Sequence, residues 1–88
     1  MLIVYVLQSK KDLSFYIGFT SDMKRRLDEH NRGLSQSTKQ KKPWVLLYCE
    51  IYRTRKDAAD RELKLKGHKN AWIKLKERIK HSILSGQN

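Results

Sequence analysis

The nine residues from Trp44 to Tyr52, WVLLYCEIY, form an apolar run with almost no polar alternation. A strand with one wet face alternates, so this run predicts a strand buried on both faces, in the middle of a sheet or under helices on both sides. Pro43 sets the chain extended just before it. The single cysteine, Cys49, falls inside the run and is expected to be a buried free thiol in a reducing compartment. Two further runs, LIVYVLQ over residues 2–8 and FYIGFT over 15–20, are β-branched and aromatic. Only the polar stretch SKKDLS separates them, which predicts a hairpin.

The rest of the chain reads as helix and loop. Thr20, Ser21 and Asp22 offer N-caps to a helix over about 22–32, in which Met23 and Leu27 repeat at four-residue spacing and which Gly33 can end in a left-handed cap. Residues 34–42, rich in Ser, Gln, Thr and Lys, predict an exposed loop. Thr54 with Asp57 resembles a capping box opening a helix that runs to about Lys66, with Gly67 as its stop. Trp72, Leu75, Ile79 and Ile83 mark a last helix from about Asn70. The order is ββαβαα, one α/β (α+β) domain over residues 1–88 with its core at about 2–83.

Twenty Lys and Arg against nine Asp and Glu give a net charge of +11. Such an excess on a small domain attracts phosphate at long range, which makes nucleic acid the leading partner. No helix pairs a basic face with a broad apolar stripe, and no segment approaches the roughly 18 apolar residues of a membrane span. The N-terminus lacks the basic region of an export signal, so the expected location is cytoplasmic.

Several polar residues interrupt apolar faces. On a helical wheel Glu62 falls among Leu65, Ala58, Ala59 and Leu63, inside the core-facing stripe. A carboxylate there needs a cation or donors, either a metal ion or a neighbouring Lys or Arg at the edge of the stripe. Arg26 and His30, four residues apart, project from one helix face. A guanidinium can hold phosphoryl oxygens bidentately and an imidazole can move a proton near neutral pH, although a solvated basic face including Arg25 gives the same spacing. Tyr5 and Tyr16 stand on the two hairpin strands as core residues or as hydroxyls usable beside a cation. Gly18, within the second strand, marks a close approach or a bulge.

Taken together, VYVLQSKKDLSFYIGFTSDMKRRLDEHNRG, then KKPWVLLYCE, then DAADRELKLKG resemble the GIY-YIG endonuclease domain, in particular short standalone members related to the nuclease end of the excision-repair incision subunit. The resemblance runs from about Val4 to about Lys80. It rests on a first-strand Tyr, the triplet Tyr16-Ile17-Gly18, the Arg26-to-His30 helix, Pro43-Trp44, and Glu62. The first triplet is Ile3-Val4-Tyr5 rather than Gly-Ile-Tyr, so only its tyrosine carries over.

The resemblance implies a three-stranded antiparallel sheet flanked by helices, with a one-metal phosphodiester hydrolysis site on its face. Glu62 would ligate Mg²⁺ or Mn²⁺, Arg26 would contact the scissile phosphate, Tyr5 and Tyr16 would line the site, and His30 would support proton transfer. One tyrosine would activate or position the attacking water. Asn70 is the candidate for the family's late asparagine. The function expected is a metal-dependent DNA endonuclease, structure-selective or weakly sequence-specific, in DNA repair or processing. The alternative is a nucleic-acid-binding module without turnover, in which Arg25, Lys39, Lys41 and Lys42 grip phosphates and a partner protein directs it, with RNA as a second possible ligand.

Overall fold

The computed structural model describes residues 1–67 and 69–86. Strands β1 (Leu2–Ser9) and β2 (Phe15–Thr20) form the hairpin, followed by α1 (Met23–Asn31), a 3-10 turn (Lys39–Lys41), β3 (Trp44–Tyr52), α2 (Arg55–Lys66) and α3 (Asn70–Arg78). The three strands make one antiparallel sheet in the order β2-β1-β3. This is the ββαβαα order and the three-stranded antiparallel sheet expected from the sequence.

The central strand is β1, not β3. Residues Val4 through Ser9 are all buried, whereas β3 is an edge strand with Cys49 and Ile51 exposed. The expectations of a doubly buried third strand and a buried thiol are therefore corrected. Register explains the inversion. Tyr48 and Glu50 stand opposite Val6 and Val4, on the face that α2 and α3 cover, while Cys49 stands opposite Tyr5 on the other face. Glu50 Oε2 and Oε1 accept the hydroxyls of Tyr48 and Tyr52 at 2.5 and 2.6 Å, so polar groups survive on the covered face by satisfying one another. A bulge between Val6 and Leu7 lets Leu47 and Tyr48, consecutive in sequence, both pack on that core.

The sheet divides the interior in two. Val4, Val6 and Ile17 pack under Ala58 and Leu65 of α2, Leu75 of α3, and Ile79, with Ile83 partly buried beyond the end of α3. Tyr5, Leu7 and Trp44 face the opposite way, against Met23 and Leu27 of α1. Asp22 and Thr54 cap α1 and α2, accepting from the amides of Arg25 and Asp57. Gly33, at φ 75, supplies the left-handed stop after α1. Gly67, by contrast, keeps helical angles, φ −68 and ψ −18, so α2 does not end in a left-handed glycine.

Two departures concern single side chains. Leu63 lies 66% exposed, outside the α2 stripe to which the helical wheel assigns it. The 34–42 segment is not uniformly exposed, because Ser35 and Thr38 are buried. It is fastened by Asn31, whose side chain accepts the Trp44 amide at 2.5 Å and donates to the Trp44 carbonyl at 3.0 Å.

Candidate active site

Tyr5 and Gly18 are cross-strand partners. A Cβ built on Gly18 would lie 2.7 Å from the Tyr5 hydroxyl oxygen, so the missing side chain is what lets the phenol lie across β2. Tyr16, two residues earlier on the same strand face, places its ring centroid 6.2 Å from that of Tyr5. Helix α1 crosses this face and presents Arg26 and His30 one turn apart.

His30 is fully buried. Its Nε2 lies 3.0 Å from the Tyr5 hydroxyl and its Nδ1 lies 2.7 Å from the Thr38 hydroxyl. The rings of Tyr16 and Trp44 stand 4.9 and 6.5 Å away. Thr38 is itself held, since its amide donates to the Ser35 carbonyl at 3.1 Å and its carbonyl accepts the Trp44 indole N–H at 3.0 Å. Thr38 was not among the residues the sequence suggested, because a threonine in an aperiodic polar loop carries no signal of burial.

The electrostatics keep the Tyr5–His30 pair neutral. Burial, with the Arg26 charge nearby, pushes the His30 imidazole down to about 4. Burial also pushes the Tyr5 phenol up to about 12; Arg26 opposes that shift, and Tyr16 and the Glu62 carboxylate reinforce it. A neutral imidazole donates through one nitrogen and accepts through the other. Either tautomer therefore links Tyr5 to Thr38 in a continuous chain of hydrogen bonds.

Arg26 is one-third exposed and donates from Nη1 to Glu29 Oε1 at 2.9 Å. Burial disfavours its charge, but Glu29 and the Tyr5 and Tyr16 hydroxyls outweigh that and hold it cationic. A guanidinium has five N–H donors, so pairing with Glu29 leaves capacity for a phosphate. Glu62, on α2, acts on Tyr5 through its charge and pairs with Lys66 Nζ at 3.2 Å, with its side chain 19% exposed. Glu62 thus pairs with a neighbouring lysine one turn along α2.

The residues suggested for phosphate binding are more scattered. Arg25 is exposed and lies 3.7 Å from Glu29, Lys41 lies 3.8 Å from Asp12, and Lys42 is exposed. Lys39 begins the 3-10 turn that follows Thr38. Asn70 is exposed at the start of α3 and interacts with none of Tyr5, Tyr16, Arg26, His30 or Glu62.

The family model described as the GIY-YIG catalytic domain matches residues 1–78. A UPF0213 protein of Staphylococcus aureus strain Mu3 is 38% identical over 64 residues, covering 72% of this chain and 77% of that protein, and its counterpart in strain N315 matches equally. The solution NMR structure of a UPF0213 protein from Bacillus halodurans is similar at 27% identity with a TM-score of 0.52, covering 85% of this chain and 81% of that one.

Proposed function

Because the chain belongs to the GIY-YIG catalytic-domain family, a nuclease family, we propose that it is a divalent-metal-dependent DNA endonuclease whose proton-handling pair is Tyr5 and His30. The observation that carries the assignment is the buried contact of the Tyr5 hydroxyl with His30 Nε2, beside Arg26. Tyr16 has no such contact and serves as a wall of the site.

In this reading Arg26 holds the non-bridging oxygens of the scissile phosphate and balances the charge that grows on them. The Tyr5 hydroxyl positions the attacking water and takes its proton as its own passes to His30 Nε2, with His30 Nδ1–H donating to the Thr38 hydroxyl. Glu62 would hold the metal ion. Among the described residues no three His, Cys, Asp or Glu side chains gather into a cage. One carboxylate still fits Mg²⁺ or Mn²⁺, because such ions keep several waters and take further oxygens from the substrate phosphate. The exposed Lys66 that pairs with Glu62 is a counter-ion that can swing away. When bound, the cation would polarise a phosphate oxygen.

Backbone recognition dominates here, with a net charge of +11 and little surface suited to reading bases, so a structure-selective or weakly sequence-specific substrate follows, consistent with repair or processing of DNA. The test is cleavage of supercoiled plasmid and branched duplexes with Mg²⁺, with Mn²⁺ and with a chelator. Metal-dependent nicking that Tyr5→Phe lowers by about 10²-fold or more, and Tyr16→Phe far less, supports the assignment. Binding without cleavage under every condition indicates instead a nucleic-acid-binding module.

A further inference from the structure

On the sheet face opposite Tyr5, a cleft of about 190 Å³ opens between α2 and α3, lined by Arg61, Ala71, Lys74, Leu75 and Arg78. Three of these five residues are cationic and none is acidic. Ala71, Lys74, Leu75 and Arg78 follow the three-and-four spacing of one helix face, so Leu75 and Ala71 form the floor while Lys74 and Arg78 stand one turn apart at the rim. Neither Lys74 nor Arg78 makes an ion pair or hydrogen bond among the described residues.

Arg61 is held in place from behind. Its Nε donates to Glu50 Oε1 at 2.6 Å and its Nη2 reaches Glu50 Oε2 at 3.4 Å. Glu50 in turn is fixed by the hydroxyls of Tyr48 and Tyr52, and its carboxyl lies below the usual carboxylate range despite burial because these three donors favour its charged form. The Nη1 of Arg61 makes no hydrogen bond among the described residues. Glu50 balances the Arg61 charge from behind, so the excess positive charge at a lining without carboxylates comes from Lys74 and Arg78, with Arg61 Nη1 as a braced further donor to an anion.

Size decides which anion. Pockets for whole small molecules run to about 300–1,000 Å³, and each water occupies about 30 Å³ of liquid. At about 190 Å³ the cleft matches one hydrated anionic group better than a whole nucleotide.

We propose that this cleft is a second phosphate-binding site that takes one backbone phosphodiester of the nucleic acid, away from the bond being cut. The proposal rests on the nucleic-acid substrate of the preceding reading and adds to it a contact that α1 and the 34–42 loop do not make. The molecule is only 19 Å across its shortest axis, and one turn of duplex spans about 34 Å. A branched or bent substrate can therefore reach both faces.

The test is equilibrium binding of a labelled branched duplex across a salt series in chelator, where nothing is cut. It compares wild type, Lys74→Gln/Arg78→Gln, and the control pair Lys56→Gln/Lys64→Gln on the exposed surface of α2, with thermal melts confirming that each is folded. Each phosphate neutralised contributes about 0.9 to the slope of log K against log salt, so the cleft variant should lose about one unit of slope and the control much less. An unchanged slope, or an equal loss in the control, overturns the proposal. A parallel NMR titration with inorganic phosphate separates a free-anion site: saturation at Lys74 and Arg78 with an unchanged nucleic-acid slope also overturns it. Wild-type protein that binds but never cuts sinks the nuclease reading while leaving this comparison intact.

Discussion

His30 occupies a position that burial turns to advantage. An imidazole held down at about 4 is neutral at neutral pH, so in the proposed reaction it starts as a base that can take the Tyr5 proton and becomes a cation only as it does so. NMR titration of the His30 ring should give a midpoint near 4 rather than 6.5, and cleavage should show no inflection from this group between pH 6 and 8. Because the folded value is depressed, the unfolded chain takes up the proton first as pH falls. His30 therefore costs stability progressively from about pH 6.5 down to about 4 and has no effect above that window. Its partner Thr38 offers a second test. Thr38→Val keeps the shape but removes the hydroxyl at 2.7 Å from Nδ1, and should cost about 1–3 kcal/mol in a chemical melt, shift the tautomer seen in ¹⁵N spectra, and lower turnover roughly tenfold or more. Arg26 and His30 were legible in the sequence because helical spacing puts residues i and i+4 on one face. Thr38 was not, because tertiary contacts bring its loop inward, among them the Asn31 clamp, the Trp44 indole and the Ser9 hydroxyl on the Lys41 carbonyl.

At the level of elements, the hairpin is built around the space left by Gly18. A methyl group there meets the Tyr5 hydroxyl at 2.7 Å and its ring carbon Cζ at 2.9 Å, so Gly18→Ala should displace the phenol, destabilise the protein by about 1–3 kcal/mol in a thermal or chemical melt, and lower cleavage along with it. Retention of both stability and activity would show that the ring moves freely and would weaken the Tyr5 assignment. The strands, the three helices and the caps of α1 and α2 followed from periodicity and N-cap chemistry, although α3 has no side-chain cap and stops at Arg78, so Ile79 and Ile83 lie beyond the helix expected to carry them. The placement of β3 did not, because polarity on that strand runs against its burial. Tyr48, Glu50 and Tyr52 sit on the covered face and pair with one another and with Arg61, while Cys49 and Ile51 face outward. Such mutual satisfaction of polar groups is set by tertiary contacts between β3 and α2, which strand patterning does not encode. Glu62 shows the same limit: the wheel places it in the stripe, but its pairing with Lys66 depends on where the stripe ends.

At the scale of the whole molecule, the sheet separates two groups of polar side chains. The Tyr5 face gathers two phenols, an imidazole and a guanidinium under α1 beside the smaller hydrophobic cluster, and the opposite face carries the larger cluster and the Arg61, Lys74 and Arg78 cleft. No helix among the described residues is long and apolar enough to cross a membrane. The net charge of +11 makes salt the strongest external control on binding, so apparent affinity for DNA should fall steeply as ionic strength rises, whereas the rate of the bound complex should change little. In the reading proposed above, Glu62, with Tyr5, His30 and Arg26, makes this basic fold a metal-dependent nuclease. Single-turnover cleavage of a branched duplex, with enzyme in excess and Mg²⁺ or Mn²⁺ present, compares wild type directly with Glu62→Gln, while fluorescence anisotropy in chelator measures binding of the same duplex. Glu62→Gln should bind as tightly as wild type and cut at least about 10²-fold more slowly; cutting at the wild-type rate would rule Glu62 out as the metal ligand.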